Sequence, residues 1–186
     1  MYGTRPLGWV TAGDIWRAQS EHPLRIVRDI DKMESSDELY ELSRRLPFLF
    51  ERTVNLGRDV EQIGRMVTLI TDAFTIRLIQ LAEQRLGTPP LAYAWVVFGS
   101  QAREAQTART DQDNGIVLER DAVGDEVAYF AELSKLVCDG LDRLGYVYCP
   151  GEVMALNVKW RVSLDKWKRH FDGWIDQPTP KSVMYS

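Results

Sequence analysis

The sequence predicts an α+β fold, a helical segment followed by a small sheet domain. Three observations carry this. Apolar residues recur at helical spacing twice before residue 88. Two short β-prone runs, residues 94–98 and 116–118, flank a Gly-Ser turn and a polar stretch. A further amphipathic helix follows over residues 127–144. The chain has 186 residues, enough for one domain or two small ones, and its 45% hydrophobic content suits a globular protein. The proposed division is a strand–helix piece at 1–22, a helical segment at 23–88 and a sheet domain at 89–186.

The first piece reads as a strand over residues 7–11, a turn and a short helix that Asp14 can cap. Residues 23–34 read as a linker or extended arm. A helix start follows: Ser35 as N-cap, with Glu38 three residues on, makes a capping box. Leu39, Leu42, Leu46 and Leu49 continue at helical spacing, with Pro47 placed to bend or break the helix. Gly57 punctuates. A longer helix runs from about residue 59 to 86, its apolar stripe formed by Ile63, Met66, Val67, Ile70, Phe74, Leu78, Leu81 and Ala82. Gly87, then Pro89-Pro90, stops it. On this helix Asp72 and Arg77 read as paired or solvated charges.

Beyond residue 118, the helix over 127–144 ends at Gly145, residues 146–148 form a short strand, and Cys149-Pro150-Gly151 is a turn. Residues 152–160 read as an irregular loop supporting the site. Ser163 caps a helix over 164–175 whose Trp167, Phe171, Trp174 and Ile175 make an apolar edge with the spacing of core residues. Pro178 and Pro180 break the chain.

Residues 92–118 carry the chemistry. The run 94–98 stops at Gly99-Ser100, a helix-forming segment covers 101–108, and Asp111-Gln112-Asp113 leads into the apolar run 116–118. In a strand, Asp111 and Asp113 point to one face. Two carboxylates on one face repel, and a hard cation such as Mg²⁺ relieves that repulsion. Free N–H groups at the Gly-Ser turn suit a phosphate. Together these are the parts phosphoryl or nucleotidyl transfer needs. Other readings fail. Asn114-Gly115 is a hairpin signal, but its upstream flank does not alternate. A calcium loop counted from Asp111 wants Gly at Ile116 and an acid at Ala122. No Gly-Lys-Ser/Thr follows Gly99.

Composition narrows the class further. The 27 acids against 23 bases give a net charge of −4, no electrostatic case for nucleic-acid binding. Cys138, Cys149, His22 and His170 have no zinc-site spacing and read as ordinary residues, the cysteines as reduced thiols. No signal pattern and no run of about 18 apolar residues occurs, so a cytoplasmic protein is expected.

Gly99-Ser100, then ten residues, then Asp111-x-Asp113 resembles the fingerprint of the DNA polymerase beta-type nucleotidyltransferases. The longer string is sharper. Phe98-Gly99-Ser100-Gln101-Ala102-Arg103-Glu104, Gln106-Thr107 and Thr110-Asp111-Gln112-Asp113-Asn114 closely resemble bacterial nucleotidyltransferases that carry cyclic-nucleotide-binding and CBS domains upstream. These are relatives of PII uridylyltransferase and glutamine-synthetase adenylyltransferase. Cys149-Pro150-Gly151, Met154, Asn157 and Trp160 extend the likeness, and residues 9–15 resemble the end of a CBS domain. Ala105 and Glu152 depart from the pattern.

The resemblance implies a small mixed sheet and a site in which Gly99 and Ser100 hold the β,γ-phosphates of an NTP, with Arg103 as a further phosphate contact. It implies that Asp111 and Asp113 are catalytic and hold Mg²⁺, or Mn²⁺. The acceptor can be a protein hydroxyl, and CBS or cyclic-nucleotide sensor domains stand upstream in the full-length protein. The superfamily uses a third carboxylate on a later strand. Asp165, Asp172 and Asp176 fall on or beside a helix, and Glu119 lies roughly 20 Å from Asp113 along a strand. The chain is therefore expected to be a fragment, incomplete at its C-terminus. A non-catalytic nucleotide-binding or regulatory module is the alternative.

Overall fold

The computed structural model describes Thr11 and residues 23–55, 59–104, 106 and 110–176. The strand–helix expectation at residues 1–22, apart from exposed Thr11, and the features at Gly57 and Pro178–Pro180 lie outside them. The architecture is α+β. Helices α1 (Pro23–Asp31), α2 (Ser36–Ser43), α3 (Leu46–Asn55) and α4 (Val60–Leu86) precede a sheet made of β1 (Tyr93–Val97), β2 (Asn114–Leu118) and β3 (Arg161–Ser163). A one-turn helix α5 (Gly99–Ala102) joins β1 to β2. Helix α6 (Asp125–Arg143) and a 3₁₀ turn (Val158–Trp160) separate β2 from β3, and α7 (Leu164–Asp176) follows.

Residues 23–31 are helix, not the expected arm. Pro23 occupies the first helical position, where its missing N–H costs no hydrogen bond. Ile26 and Ile30, one turn apart, are both buried against α4. Arg77 of α4 donates from Nε to the Met33 carbonyl at 2.6 Å and from a terminal nitrogen to Gln80, which fixes the α1–α2 connection. The capping box forms as expected at one end: the Glu38 N–H donates to Ser35 Oγ at 3.3 Å. The reciprocal arm reaches one residue further back, Glu38 Oε2 accepting from the Glu34 N–H at 2.8 Å. The chain breaks at Arg44–Arg45, and Pro47 sits in the first turn of α3, where proline is tolerated.

Helix α4, about 40 Å long at 1.5 Å per residue, begins at its N-cap Asp59 and ends at Gly87, whose φ of +89° suits glycine. Its predicted stripe is the core: Val67, Ile70, Phe74, Leu78 and Ala82 pack on Phe130, Leu133, Val137 and Leu141 of α6. The two helices approach closely at Gly140, where a Cβ would stand 2.7 Å from a Leu78 methyl.

The sheet order is β1-β2-β3, with β1 antiparallel and β3 parallel to the central β2, so the sheet is mixed. Side chains alternate across it. Ile116 and Leu118 enter the helical core, while Val117, Val96 and Phe98 face an aromatic cluster with Trp160 and Trp167. Gly115 pairs with Val96 inside the ladder instead of turning a hairpin. A Cβ there would meet the Trp160 carbonyl at 2.8 Å and the Trp167 ring at 2.9 Å. Strand β3, within a stretch expected to be loop and helix cap, forms because three residues find the open edge of β2. On α7 the aromatic edge is buried at Trp167, 3% exposed, with Trp174 partly buried against the same cluster; Phe171 and Ile175 are 43% and 76% exposed.

Candidate metal and nucleotide site

The acidic pair lies on the lead-in to β2, not within the ladder. Three backbone bonds hold that lead-in. Phe98 N–H donates to the Asp113 carbonyl, Gln112 N–H to Val147, and Asn114 N–H to Val153, at 2.9, 2.9 and 3.0 Å. The strand expected over 146–148 contracts to one parallel bridge between Asp111 and Val147. The period-two parity nevertheless persists. Asp111 and Asp113 are half-buried on one side; Gln112 and Asn114 are buried on the other.

Those two buried amides set the lead-in's position. Gln112 Nε2 donates to the carbonyls of Cys138 and Tyr146 at 3.0 and 2.8 Å. Asn114 Oδ1 accepts from the Ala155 N–H at 2.8 Å and from the Cys138 thiol at 3.7 Å. A buried polar group left unpartnered costs about 1–3 kcal/mol, so each of these bonds resists displacement. Fixing both amides fixes Asp113 between them and Asp111 beside Gln112.

The Gly99-Ser100 turn presses against the pair. Gly99 has φ +59°, and a Cβ on it would lie 2.5 Å from Asp113 Oδ2. Glycine is required there twice, for its conformation and for the close approach. The helix expected over 101–108 ends at Ala102, because Arg103 leaves helical geometry and Glu104 turns to φ +54°. Residues 105 and 107–109 lie outside the described ones. Gln101, 8% exposed, donates to Asp72 Oδ1 on α4 at 2.8 Å, which makes Asp72 a paired charge that anchors α5. Ser100 Oγ shares a 3.2 Å hydrogen bond with Thr110 Oγ1. Arg103 is exposed, and its charge acts on Asp113.

Sequence reasoning missed Cys149. The turn after Val147 returns it to the carboxylates, and donor atoms of Asp111, Asp113 and Cys149 lie within 4.8 Å of one another. Among the described residues no third carboxylate joins this group. Burial raises the Asp113 carboxyl above the ordinary carboxylate range; the Cys149 thiol lowers it, the Asp111 charge raises it and Arg103 lowers it. Burial also raises the Cys149 thiol, and the neighbouring Asp113 raises it further. Two half-buried carboxylates and a thiol converging on one point suit a divalent cation, which offsets the repulsion that raises Asp113. The signal available in the sequence was the spacing of Cys149 two residues after a β-prone Val147, once Val147 is known to pair with Asp111.

Residues 44–181, well over half of the chain, match the family described as "putative nucleotidyltransferase DUF294". No curated protein and no solved structure shows significant similarity to the chain. Among the described residues no helix is long and apolar enough to cross a membrane.

Proposed function

We propose, from the premise that this chain belongs to the DUF294 nucleotidyltransferase family, that it moves a nucleoside monophosphate from an NTP to an acceptor at the site built around Asp111 and Asp113. The observation that supports this reading is the contact of Gly99 with the Asp113 carboxylate. It sets the Gly-Ser turn and the acidic pair side by side. Asp111 and Asp113 are the groups that would hold Mg²⁺ or Mn²⁺. When bound, the cation supplies charge neutralisation at the triphosphate and orientation of the attacked phosphorus. The first-turn N–H groups of Gly99 and Ser100 precede the first helical hydrogen bond and are free to face the β,γ-phosphates. Arg103, exposed beside them, adds a positive charge at the phosphates. An acceptor hydroxyl attacks the α-phosphorus and releases its proton to solvent, a new P–O bond forms, the α–β bridge breaks and pyrophosphate leaves.

The finer parts of the reading rest on the likeness of the 98–114 string. They are a protein hydroxyl as acceptor, CBS or cyclic-nucleotide sensor domains upstream and signal transduction in the cytoplasm. The division at residues 22 and 88 rests on the CBS-like residues 9–15 and on the helical spacing before residue 88. A second reading, a nucleotide-binding regulatory module without turnover, is favoured by the two-carboxylate composition of the group. Calorimetry tests the shared premise. Wild-type protein binds ATP or UTP only with divalent metal, and Asp111→Asn plus Asp113→Asn abolishes that binding. Equal binding by the double variant sinks the assignment. Pyrophosphate release on adding a candidate acceptor then separates transferase from module.

A further inference from the structure

We infer that Cys149 is itself a metal ligand, so that the site takes a thiophilic divalent cation of the Co²⁺, Zn²⁺ or Cd²⁺ class more tightly than Mg²⁺. The inference rests on the proposed assignment of Asp111 and Asp113 as ligands. Two observations extend it to the thiol. The sulfur and one oxygen from each carboxylate lie within 4.8 Å of one another. Three ligands around one ion, at about 2.3 Å for sulfur and about 2.1 Å for oxygen, stand roughly 3.4–3.8 Å apart, so atoms at the 4.8 Å limit close the set by side-chain movements of about 1 Å. Cys149 is 9% exposed, and its sulfur stands in the group with the two carboxylates.

The turn that carries the thiol is fixed in place. The Glu152 N–H closes it on the Cys149 carbonyl at 2.9 Å, with Glu152 itself at φ +56°, and the Cys149 N–H donates to Met154 Sδ at 3.3 Å. On binding, the S–H bond gives its proton to solvent and its electron pair to the cation; no oxidant or reductant is involved. Mg²⁺ accepts oxygen donors and ignores the sulfur, whereas thiolate selects softer metals. The other thiol, Cys138, is fully buried behind Gln112 and Asn114, and it stands outside the group.

The test uses reduced, metal-free protein titrated with Co²⁺. Wild type is expected to develop a near-ultraviolet thiolate-to-Co²⁺ charge-transfer band. Cys149→Ser is expected to lose the band and roughly 100-fold in Cd²⁺ affinity, at least the cost of disturbing a ligand's supporting partner. Its Mg²⁺ affinity stays within the same order of magnitude. Bound Co²⁺ without the band overturns the inference and leaves the carboxylate assignment standing, and this wild-type spectrum decides even if the serine variant does not fold. A band that persists in Cys149→Ser assigns the thiolate to Cys138 and also overturns it. Absence of any divalent-cation binding removes the carboxylate assignment and this inference together.

Discussion

The helical core and the site end of this molecule are built on opposite principles. Between α4 and α6, Val67, Ile70, Phe74, Phe130, Leu133 and Val137 are buried and apolar, and their stability comes from packed volume. Around the acidic pair, Gln101, Gln106, Gln112 and Asn114 are equally buried, yet they are polar. Packing accepts substitutes of similar size and shape. A buried amide accepts nothing that lacks its donors and acceptors. The core therefore sets how stable the chain is, and the amides set where two carboxylates and a thiol stand.

Breaking the core gives the largest effect. Phe74→Ala should cost about 3–5 kcal/mol in denaturant unfolding, since it empties a fully buried site between α4 and its neighbours. Metal affinity of the folded fraction should change little, because Phe74 reaches the lead-in only through its ring contact with Tyr146, whose carbonyl accepts from Gln112. A parallel loss of metal affinity would show that the two regions are not separable.

Asn114→Ala should cost less, about 1–3 kcal/mol, by leaving the buried Ala155 N–H without its acceptor. Its functional effect should be greater. The turn carrying Cys149 loses a tie to β2, so Mn²⁺ binding followed by paramagnetic resonance should weaken. An unchanged Mn²⁺ affinity would mean that the amide network does not position the site.

The smallest effect has the opposite sign. Burial holds the Asp113 carboxyl above its ordinary range, so the folded state keeps that proton more tightly than the unfolded chain does. Its contribution is then most favourable below the unfolded value of about 3.9 and falls as pH rises through the folded one. Metal-free Asp113→Asn should melt slightly above wild type at pH 7, with the gap narrowing as pH drops toward 4. A lower melting temperature at pH 7 would mean that the carboxylate is stabilised in place without a cation.

The same contrast explains what could be read from residues alone. Helix α4 was legible because its stripe repeats eight times and Asp59 and Gly87 bound it. The parity of Asp111 and Asp113 was legible because a period of two survives even where the strand is reduced to backbone bonds with Phe98, Val147 and Val153. Helix α1 was not, since nine residues with two buried isoleucines give too little periodicity. Strand β3 is three residues whose only reason to be a strand is β2, which lies more than forty positions away. The early end of α5 depends on a left-handed Glu104, a conformation no propensity predicts. Cys149 looked like an ordinary thiol because its role is set by where the chain returns after α6.

The proposed site puts the metal of a bound nucleotide on Asp111 and Asp113, beside Gly99. Anomalous diffraction from crystals grown with Mn²⁺ and a non-hydrolysable NTP tests this. Mn²⁺ density is expected at about 2.2 Å from carboxylate oxygens of both residues, with the triphosphate against Gly99 and Ser100. Metal and nucleotide seated elsewhere, for example in the cavity of about 500 Å³ lined by Val60, Gly64, Arg65 and Arg103, would contradict it.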